Sequence, residues 1–198
     1  MLPLPQFTVE PISDRHDGAD FHCGGDHVVL SEYIRAGYAL RDQRLDRLRT
    51  YVLVPLPVAE EAGSLRKVAG FFSLEASRME TADVPVETWS SSYGVPPDLP
   101  VIYLSMVARH SEYRGQGIGD ILMAAILDIC VQTSALVGVT GIYLVAVSER
   151  AYDLYRTWGF LDLDGDSFAG YNRMFLPMQD ARMAVALEAD AEAPEEEA

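Results

Sequence analysis

The sequence is poor in positive charge: 15 lysines and arginines stand against 30 acidic residues, a formal net charge of −15. Binding to phosphate backbones relies on clustered Lys and Arg, so this balance argues against bulk affinity for nucleic acid. Part of the excess lies in residues 180–198, which hold seven acids and one base, but the remaining chain still carries −9. One local exception is the stretch 41–49, where four arginines occur: Arg41, Arg44, Arg47 and Arg49.

Cysteines and membrane-spanning runs are also scarce. The two cysteines, Cys23 and Cys130, indicate reduced thiols of a cytoplasmic protein rather than a disulfide framework. No apolar run reaches the roughly 18 residues that span a bilayer, and the N-terminus lacks the basic and apolar regions of a secretion signal. A hydrophobic content of 49% suffices for one core. We therefore expect a single domain over residues 1–178 and an acidic, partly disordered tail over residues 179–198.

The hydrophobic pattern mixes strands and helices, which predicts an α/β or α+β class. Helices are expected over residues 26–45, from the glycine-rich stretch to about 132, and over 149–159. Strands are expected over residues 6–12, 49–56, 66–79, 100–110, 141–148 and 171–178, with the second and third paired as a hairpin. Asp26 is a candidate cap of the first helix, and residues 80–100 indicate a long surface loop.

The stretch EYRGQGIGDILM, residues 112–123, places three alternating glycines directly before a helical pattern. A helix N-terminus offers unpaired N–H groups and partial positive charge, and glycines let the backbone approach an anion closely. A Walker loop needs Gly-Lys-Ser/Thr, and a dinucleotide fingerprint needs G-x-G-x-x-G near the first strand; neither fits. From the spacing alone, a pyrophosphate site and a merely tight turn stay equally open.

Two motifs together resolve this ambiguity. Residues 114–119, RGQGIG, fit R/Q-x-x-G-x-G/A, and residues 155–160 carry Tyr-x-x-x-Gly-Phe; on these the chain resembles the GNAT family of N-acetyltransferases over residues 7–178. The resemblance implies a GNAT fold: a central mixed, mostly antiparallel sheet of about six to seven strands, with flanking helices and splayed fourth and fifth strands. The N-terminal half, in addition, resembles the subgroup that contains acetyltransferase toxins.

The resemblance also implies the residues of an acetyl-coenzyme A site. The pantetheine amides would pair with the backbone of Met106, Val107 and Ala108. The pyrophosphate would lie on the glycine-rich loop, formed by Arg114, Gly115, Gln116, Gly117, Ile118 and Gly119. Ser148 stands where many members have asparagine; a serine offers the pantetheine arm fewer hydrogen bonds, but it can cap the following helix.

Tyr155 is expected to protonate the leaving thiolate, because the reaction needs a proton donor where negative charge develops on sulfur. A tyrosine, with an ordinary pKa of about 10, is protonated at neutral pH; without the motif, Tyr155 would be interpreted as a packing aromatic. The general base is less determined. Glu75 on the neighbouring strand and His110 and Glu112 after the cofactor strand are candidates, and each could equally be a solvated surface group or be replaced by a water chain.

Three functional hypotheses follow. The leading one is direct transfer of acetyl from acetyl-CoA to a primary amine of a small molecule, peptide or protein, with cationic acceptors favoured by the acidic surface. The alternatives are a toxin that acetylates aminoacyl-tRNA and is held by an antitoxin, and a non-catalytic acyl-CoA-binding module. Membrane binding is not expected, and nucleic acid only as tRNA under the toxin alternative; a homodimer stays open.

No metal is expected. The cluster His22, Cys23, Asp26 and His27 matches no zinc spacing. Residues 162–167, DLDGDS, resemble a calcium loop, but the glycine is displaced and the closing glutamate is missing.

Overall fold

The computed structural model describes residues 7–25, 27–56, 64–84, 96–163 and 171–192. The helices within these residues are α1 (Val28–Arg35), α2 (Tyr38–Arg44), α3 (Ile118–Leu136), α4 (Glu149–Thr157) and α5 (Met178–Glu192). The strands are β1 (Phe7–Pro11), β2 (His16–Asp17), β3 (Arg49–Pro55), β4 (Arg66–Lys67), β5 (Gly70–Glu80), β6 (Asp98–Arg109), β7 (Gly141–Ala146), β8 (Leu161–Asp162) and β9 (Asn172–Pro177).

Seven of these strands form one sheet in the order β1-β3-β5-β6-β7-β9-β8, and β2 and β4 form a separate parallel pair. The predicted hairpin is confirmed, since β3 pairs with β5 antiparallel, Thr50 opposite Ser73. β9 pairs antiparallel with both β7 and β8. This sheet of mostly antiparallel strands with five helices confirms the predicted class.

Two predicted elements were wrong in detail. The single helix over 26–45 is two helices, because Gly37 adopts φ +72°, the left-handed conformation that ends one helix and begins the next. The strand over 66–79 is interrupted after Lys67, where the chain leaves β4 and starts β5. Asp26, the candidate cap, lies outside the described residues.

The chain forms two compact units. Unit 1 comprises Met1–Glu75 and Leu104–Ala125, and unit 2 comprises Ala76–Tyr103 and Ile126–Ala198. In unit 1 a core cluster gathers around fully buried Phe71, with Tyr33 and Ile34 of α1 and Val52 of β3 packed into it. Complete burial of one Phe side chain stabilises by about 1.5–3 kcal/mol, so this cluster fixes α1 and α2 on the strands of unit 1.

Unit 2 has its own core cluster. Its buried members include Phe175 of β9, Val101 of β6 and Leu163, and half-buried Tyr143 packs against them. Arg173 and Asp83 form an ion pair of 3.0 Å within this unit.

Among the helices of the described residues, α3 alone is long and apolar enough to cross a membrane by length and composition. This is weak evidence, since the core helix of a soluble protein meets the same test. Leu122, Ile126 and Cys130 of α3 are buried within the protein.

Candidate active site

The glycine-rich loop of unit 1 has the geometry of an anion cradle. Gly115 and Gly117 adopt φ of +79° and +71°, and a Cβ added to either would meet no atom within 4 Å. Both therefore border open space in a conformation that L side chains rarely adopt. α3 begins directly afterwards, at Ile118, so its first N–H groups face outward at the end of the loop.

The backbone amides of this loop differ in whether they already donate a hydrogen bond. The Gln116 N–H donates to the Tyr113 carbonyl at 3.4 Å, closing the preceding turn. Within the part of the chain that the structure describes, the amides of Gly117, Ile118 and Gly119 donate to no backbone carbonyl of the neighbouring turns. These three N–H groups are available to an anion, and the positive end of the helix dipole adds to their field.

Close packing fixes where α3 begins. Ile118 is 1% exposed, and a Cβ added to Gly70 would lie 3.1 Å from Leu122 and 3.2 Å from the carbonyl oxygen of Ala108. A larger residue at position 70 would push the start of α3 away from β5 and β6. Gly70 is thus a supporting residue that sequence reasoning missed, because a lone glycine at the start of a strand carries no motif.

The predicted pantetheine strand lies in unit 1 at the end of β6. Met106, Val107 and Ala108 are half-buried, and the side chains of Met106 and Ala108 pack against the core cluster of unit 1. Their side chains face protein, which leaves the backbone as the part of this strand that can pair with a ligand.

His110 follows β6 and caps the turn of Ser111–Tyr113. Its Nδ1 accepts a hydrogen bond from the Glu112 N–H at 3.1 Å, and its Nε2–H donates to the Asp20 carbonyl at 2.9 Å. Both ring nitrogens are therefore occupied by backbone groups. Glu112, by contrast, is two-thirds exposed.

Glu75 is the last residue of the first part of unit 1 and lies on β5, half-buried. It shares a strand face with Ser73, whose hydroxyl lies 2.8 Å from that of Thr50 in the core. The structure therefore places Glu75 at the end of the buried part of β5, where burial gives way to partial exposure.

Unit 2 holds the remaining predicted residues on or beside α4. Ser148 Oγ accepts a hydrogen bond from the Ala151 N–H at 3.2 Å, so this serine is the cap that its position predicted. Tyr155 is 6% exposed, and its ring lies 5.7 Å from that of Phe160. Burial raises the pKa of Tyr155 to about 12, so the phenol carries its proton at neutral pH.

The far end of α4 is held by two further contacts. Gly159, with φ +84°, ends the helix. Asp162 then accepts hydrogen bonds from the Tyr152 hydroxyl at 2.8 Å and from Arg156 at 3.0 Å. These bonds fix α4 against β8, and with it the position of Tyr155; Asp162 had no signal in the sequence as a site residue.

The structure thus groups the predicted residues in two sets. Unit 1 brings together the end of β6, the glycine-rich loop and His110, and it also contains Glu75. Unit 2 carries Ser148 and Tyr155 on one short, capped helix.

The arginine-rich stretch 41–49 is less basic than its composition suggests. Arg44 pairs with Asp14 at 2.5 Å, Arg47 with Asp42 at 3.2 Å, and Arg49 with Asp46 at 2.7 Å. Arg41 is exposed and has no carboxylate partner among the described residues. The described residues contain no group of three or more His, Cys, Asp or Glu side chains that could hold a metal ion.

Comparison with known proteins agrees with this geometry. The acetyltransferase (GNAT) family model matches residues 30–160. Probable toxin TacT of Sinorhizobium fredii (strain NBRC 101917 / NGR234) is 28% identical over 182 residues, 88% of this chain and 92% of that protein.

Two solved structures are similar over most of the chain. AtaT complexed with acetyl-methionyl-tRNAfMet matches with a TM-score of 0.76 at 25% identity, over 90% of this chain and 99% of that one. AtaTR bound with AcCoA matches with a TM-score of 0.72 at 25% identity, over 90% and 97%. The likenesses confirm the predicted fold, the resemblance to toxin-type relatives and acetyl-CoA as the acyl donor.

Proposed function

Because this chain belongs to the GNAT family of acetyltransferases, we propose that it acetylates the α-amine of an aminoacyl-tRNA and so blocks translation. The observation that carries this acceptor is the likeness, over nearly the full length of both chains, to a probable toxin and to AtaT in complex with acetyl-methionyl-tRNAfMet. The leading hypothesis from the sequence alone was a small-molecule, peptide or protein amine.

We propose the following roles for the residues of unit 1. The amides of Gly117, Ile118 and Gly119, with those of Gly115 and Gln116 nearby, hold the pyrophosphate of acetyl-CoA, and Arg114 adds positive charge beside it. The backbone of Met106, Val107 and Ala108 pairs with the pantetheine amides, and Ser148 of unit 2 offers one hydroxyl. Acetyl-CoA supplies the activated acetyl group as a thioester.

Tyr155 is proposed as the proton donor. The amine nitrogen forms a bond to the acetyl carbonyl carbon, the carbon–sulfur bond breaks, and the sulfur receives a proton from the phenol while the amine loses one. A buried phenol with a pKa raised to about 12 stays protonated over the whole range in which an amine reacts. It is therefore in the protonated form that a donor to the sulfur needs.

The hydrogen bonds of the His110 ring favour an α-amine as acceptor. With both imidazole nitrogens engaged by backbone groups, His110 is not available to take a proton, and we propose Glu75, directly or through water, as the base. An α-amino group has a pKa of about 7.7–8.0 and a lysine-type amine about 10.4. A sizeable fraction of the former is already neutral near pH 7.5, so it needs little help from a base.

The distribution of charge reduces the electrostatic objection to tRNA binding that the acidic composition raised. Unit 1 contains ten of the 15 basic residues and thirteen acids, a net charge of −3, whereas unit 2 contains five bases and seventeen acids, a net charge of −12. A nearly balanced unit 1 with exposed Arg41 and Arg114 can approach a phosphate backbone, and we propose it as the tRNA-facing part.

The test is cell-free protein synthesis with purified protein, with and without acetyl-CoA, beside acetylation of a panel of charged tRNAs. The proposal expects inhibition that depends on acetyl-CoA, an acetylated aminoacyl-tRNA as product, and loss of both with Tyr155→Phe. Translation that is untouched at high protein concentration would exclude the aminoacyl-tRNA acceptor while leaving acetyl-CoA binding intact.

One observation favours a second candidate. The net charge of −15 attracts small cationic amines such as polyamines or basic peptides. Turnover of a cationic amine panel without any effect on translation would identify this class. Acetyl-CoA that raises the melting temperature without turnover of any amine would indicate a non-catalytic binder.

The same proposal includes the compartment, the partner and the domain boundaries of the protein. We propose that it acts in the cytoplasm, where charged tRNA and acetyl-CoA meet, and that a partner antitoxin restrains it. Residues 1–178 are proposed to form the catalytic domain, with residues 179–198 as its acidic extension; a homodimer can be checked by light scattering.

A further inference from the structure

A short segment of unit 1, residues 20–24, lies along the turn that leads into the glycine-rich loop. The Ser111 N–H donates to the His22 carbonyl at 2.7 Å, and the His110 side chain donates to the Asp20 carbonyl at 2.9 Å. Asp20 contacts His110 and His22 contacts Ser111, so the contacts follow the same order along both segments. Segment 20–24 is therefore docked in register on the turn, and its position depends on that of the loop.

Further contacts hold the C-terminal end of the segment. The Arg114 guanidinium lies 3.4 Å from where a Cβ on Gly24 would stand, and Gly24 has φ +79°. The Cys23 N–H donates to Ser31 Oγ of α1 at 3.1 Å. Segment 20–24 thus connects the start of the glycine-rich loop to α1.

The His110 side chain bonds to both segments. A carbonyl oxygen only accepts and a backbone N–H only donates, so the bonds to Asp20 and Glu112 require a neutral ring with its proton on Nε2. The ring also makes edge contacts with Phe21 and Tyr113, at centroid distances of 5.6 Å and 6.0 Å. Both ring nitrogens therefore bond to backbone groups, and the His110 side chain is 16% exposed.

The backbone of His110 is fixed as well. Its N–H donates to the Ala69 carbonyl at 2.7 Å, directly before β5. The histidine is therefore anchored through backbone and side chain, five residues before Gly115, the first glycine of the loop.

We propose that His110 is a positioning residue for the acetyl-CoA loop, a neutral imidazole that caps the Ser111–Tyr113 turn and clamps segment 20–24 to it. The inference rests on the proposed function in one respect, the pyrophosphate on residues 115–119. Removing the clamp leaves the turn without its cap and lets the loop sample positions in which its amides diverge. Affinity for acetyl-CoA falls, while the reacting groups keep their chemistry.

The experiment compares wild type, His110→Ala and His110→Asn, with His22→Ala as the matched control. His22 is exposed, and its Nδ1 accepts a bond from the Gly24 N–H at 2.9 Å. The control therefore removes a similar side-chain bond within segment 20–24, while the His110 bonds and the His22 carbonyl stay in place. Asparagine is an excellent cap whose Oδ1 can replace Nδ1. The dissociation constant of acetyl-CoA is measured by calorimetry, which needs no acceptor, and kcat is measured at saturating acetyl-CoA.

His110→Ala is expected to weaken acetyl-CoA binding about tenfold, as the loss of a cap and a further hydrogen bond implies. His110→Asn is expected to recover to within about threefold of wild type, and His22→Ala to match it. For both His110 variants kcat stays within about threefold of wild type, since no proton transfer is lost.

Two results would overturn the proposal. If His110→Asn and His110→Ala both lower kcat by two orders of magnitude or so with unchanged binding, His110 is the base. If wild type binds acetyl-CoA and His110→Ala binds it equally well, there is no clamp. Failure of wild type itself to bind would instead refute the proposed placement of the donor, and the clamp with it. Far-ultraviolet circular dichroism establishes that each variant is folded.

Discussion

The candidate residues of unit 1 and those of unit 2 differ in the kind of group that they offer. Unit 1 offers backbone: the end of β6, two glycines at positive φ and the first amides of α3. Unit 2 offers a side chain, Tyr155, held on a helix of nine residues between a serine cap and Gly159. The proposed backbone site depends on positions without a side chain, whereas the proposed proton donor depends on one particular side chain.

The units differ in charge as strongly as in chemistry. Net charges of −3 and −12 mean that the composition of the whole chain describes unit 2 better than unit 1. Net charge governs long-range attraction. The charge that matters is that of the surface which meets the partner. The following predictions test whether the two units separate binding from catalysis as this comparison implies.

The largest effect is expected from Tyr155→Phe. Loss of the phenolic proton donor should lower kcat by roughly 100- to 1,000-fold and leave the dissociation constant of acetyl-CoA within experimental error. Steady-state kinetics and calorimetry measure the two quantities. Tyr152→Phe is the control on the same helix, because its hydroxyl bonds Asp162 rather than a substrate; a comparable loss of kcat there would assign the effect to α4 as a whole.

The converse change in unit 1 is Gly117→Ala. A Cβ would meet no atom, so the cost is that of an L residue at φ +71°, about 1–2 kcal/mol. The loop should relieve this strain by moving, and acetyl-CoA binding should weaken about tenfold with kcat retained at saturation.

Gly138→Ala is the matched control for this change. A Cβ there also meets nothing, and no left-handed φ is imposed, so acetyl-CoA binding should equal that of wild type. If Gly117→Ala binds as tightly as this control, the glycine-rich loop does not cradle the pyrophosphate.

Sequence reasoning succeeded where a motif encodes local geometry and failed where tertiary packing decides. RGQGIG and Tyr-x-x-x-Gly-Phe, residues 114–119 and 155–160, are local patterns, and they sufficed for the fold and the acyl donor. Gly70 acts through contacts with Ala108 and Leu122, which are distant in the chain, and carries no local signal. Asp162 bonds to residues ten and six positions earlier, and the calcium-loop likeness of residues 162–167 did not indicate that role. Gly37 was visible in the sequence, but a single glycine within a helical pattern predicts no break unless its φ is known.

The arginine-rich stretch 41–49 illustrates a different point. The four arginines at 41–49 looked like a basic patch, yet three of them are ion-paired. Which charges are neutralised depends on neighbours such as Asp14, which lies thirty residues earlier. Neither the patch nor the net charge could therefore be evaluated before the structure was known.

A third prediction concerns unit 2 at alkaline pH. The pKa of Tyr155 is raised by burial to about 12, against about 10 in an unfolded chain. Below pH 10 both states are protonated; between about 10 and 12 only the unfolded state ionises, so stability falls as pH rises. Wild type should lose roughly 1 kcal/mol at pH 11 through this group.

Tyr155→Phe should lack this component. Urea midpoints at pH 8 and pH 11 measure it, and the drop should be smaller in the variant by about that amount. Cys130, whose pKa is also raised by burial to about 12, contributes to both proteins and so cancels in the comparison. Equal drops in the two proteins would mean that Tyr155 is not buried in solution.

The smallest effect is expected from removing one exposed positive charge in each unit. Arg41→Gln removes an exposed positive charge of unit 1 and should raise KM for aminoacyl-tRNA about threefold, with the slope of log KM against log salt reduced by about 1. Arg78→Gln makes the same change in unit 2, at a side chain 80% exposed, and should leave KM and the salt slope unaltered. Acetyl-CoA binding should be unchanged in both, because Arg41 lies on α2 and not on the loop. Equal effects of the two substitutions would show that tRNA affinity depends only on the net charge of the whole protein. The two units would then differ only in their proposed roles toward acetyl-CoA.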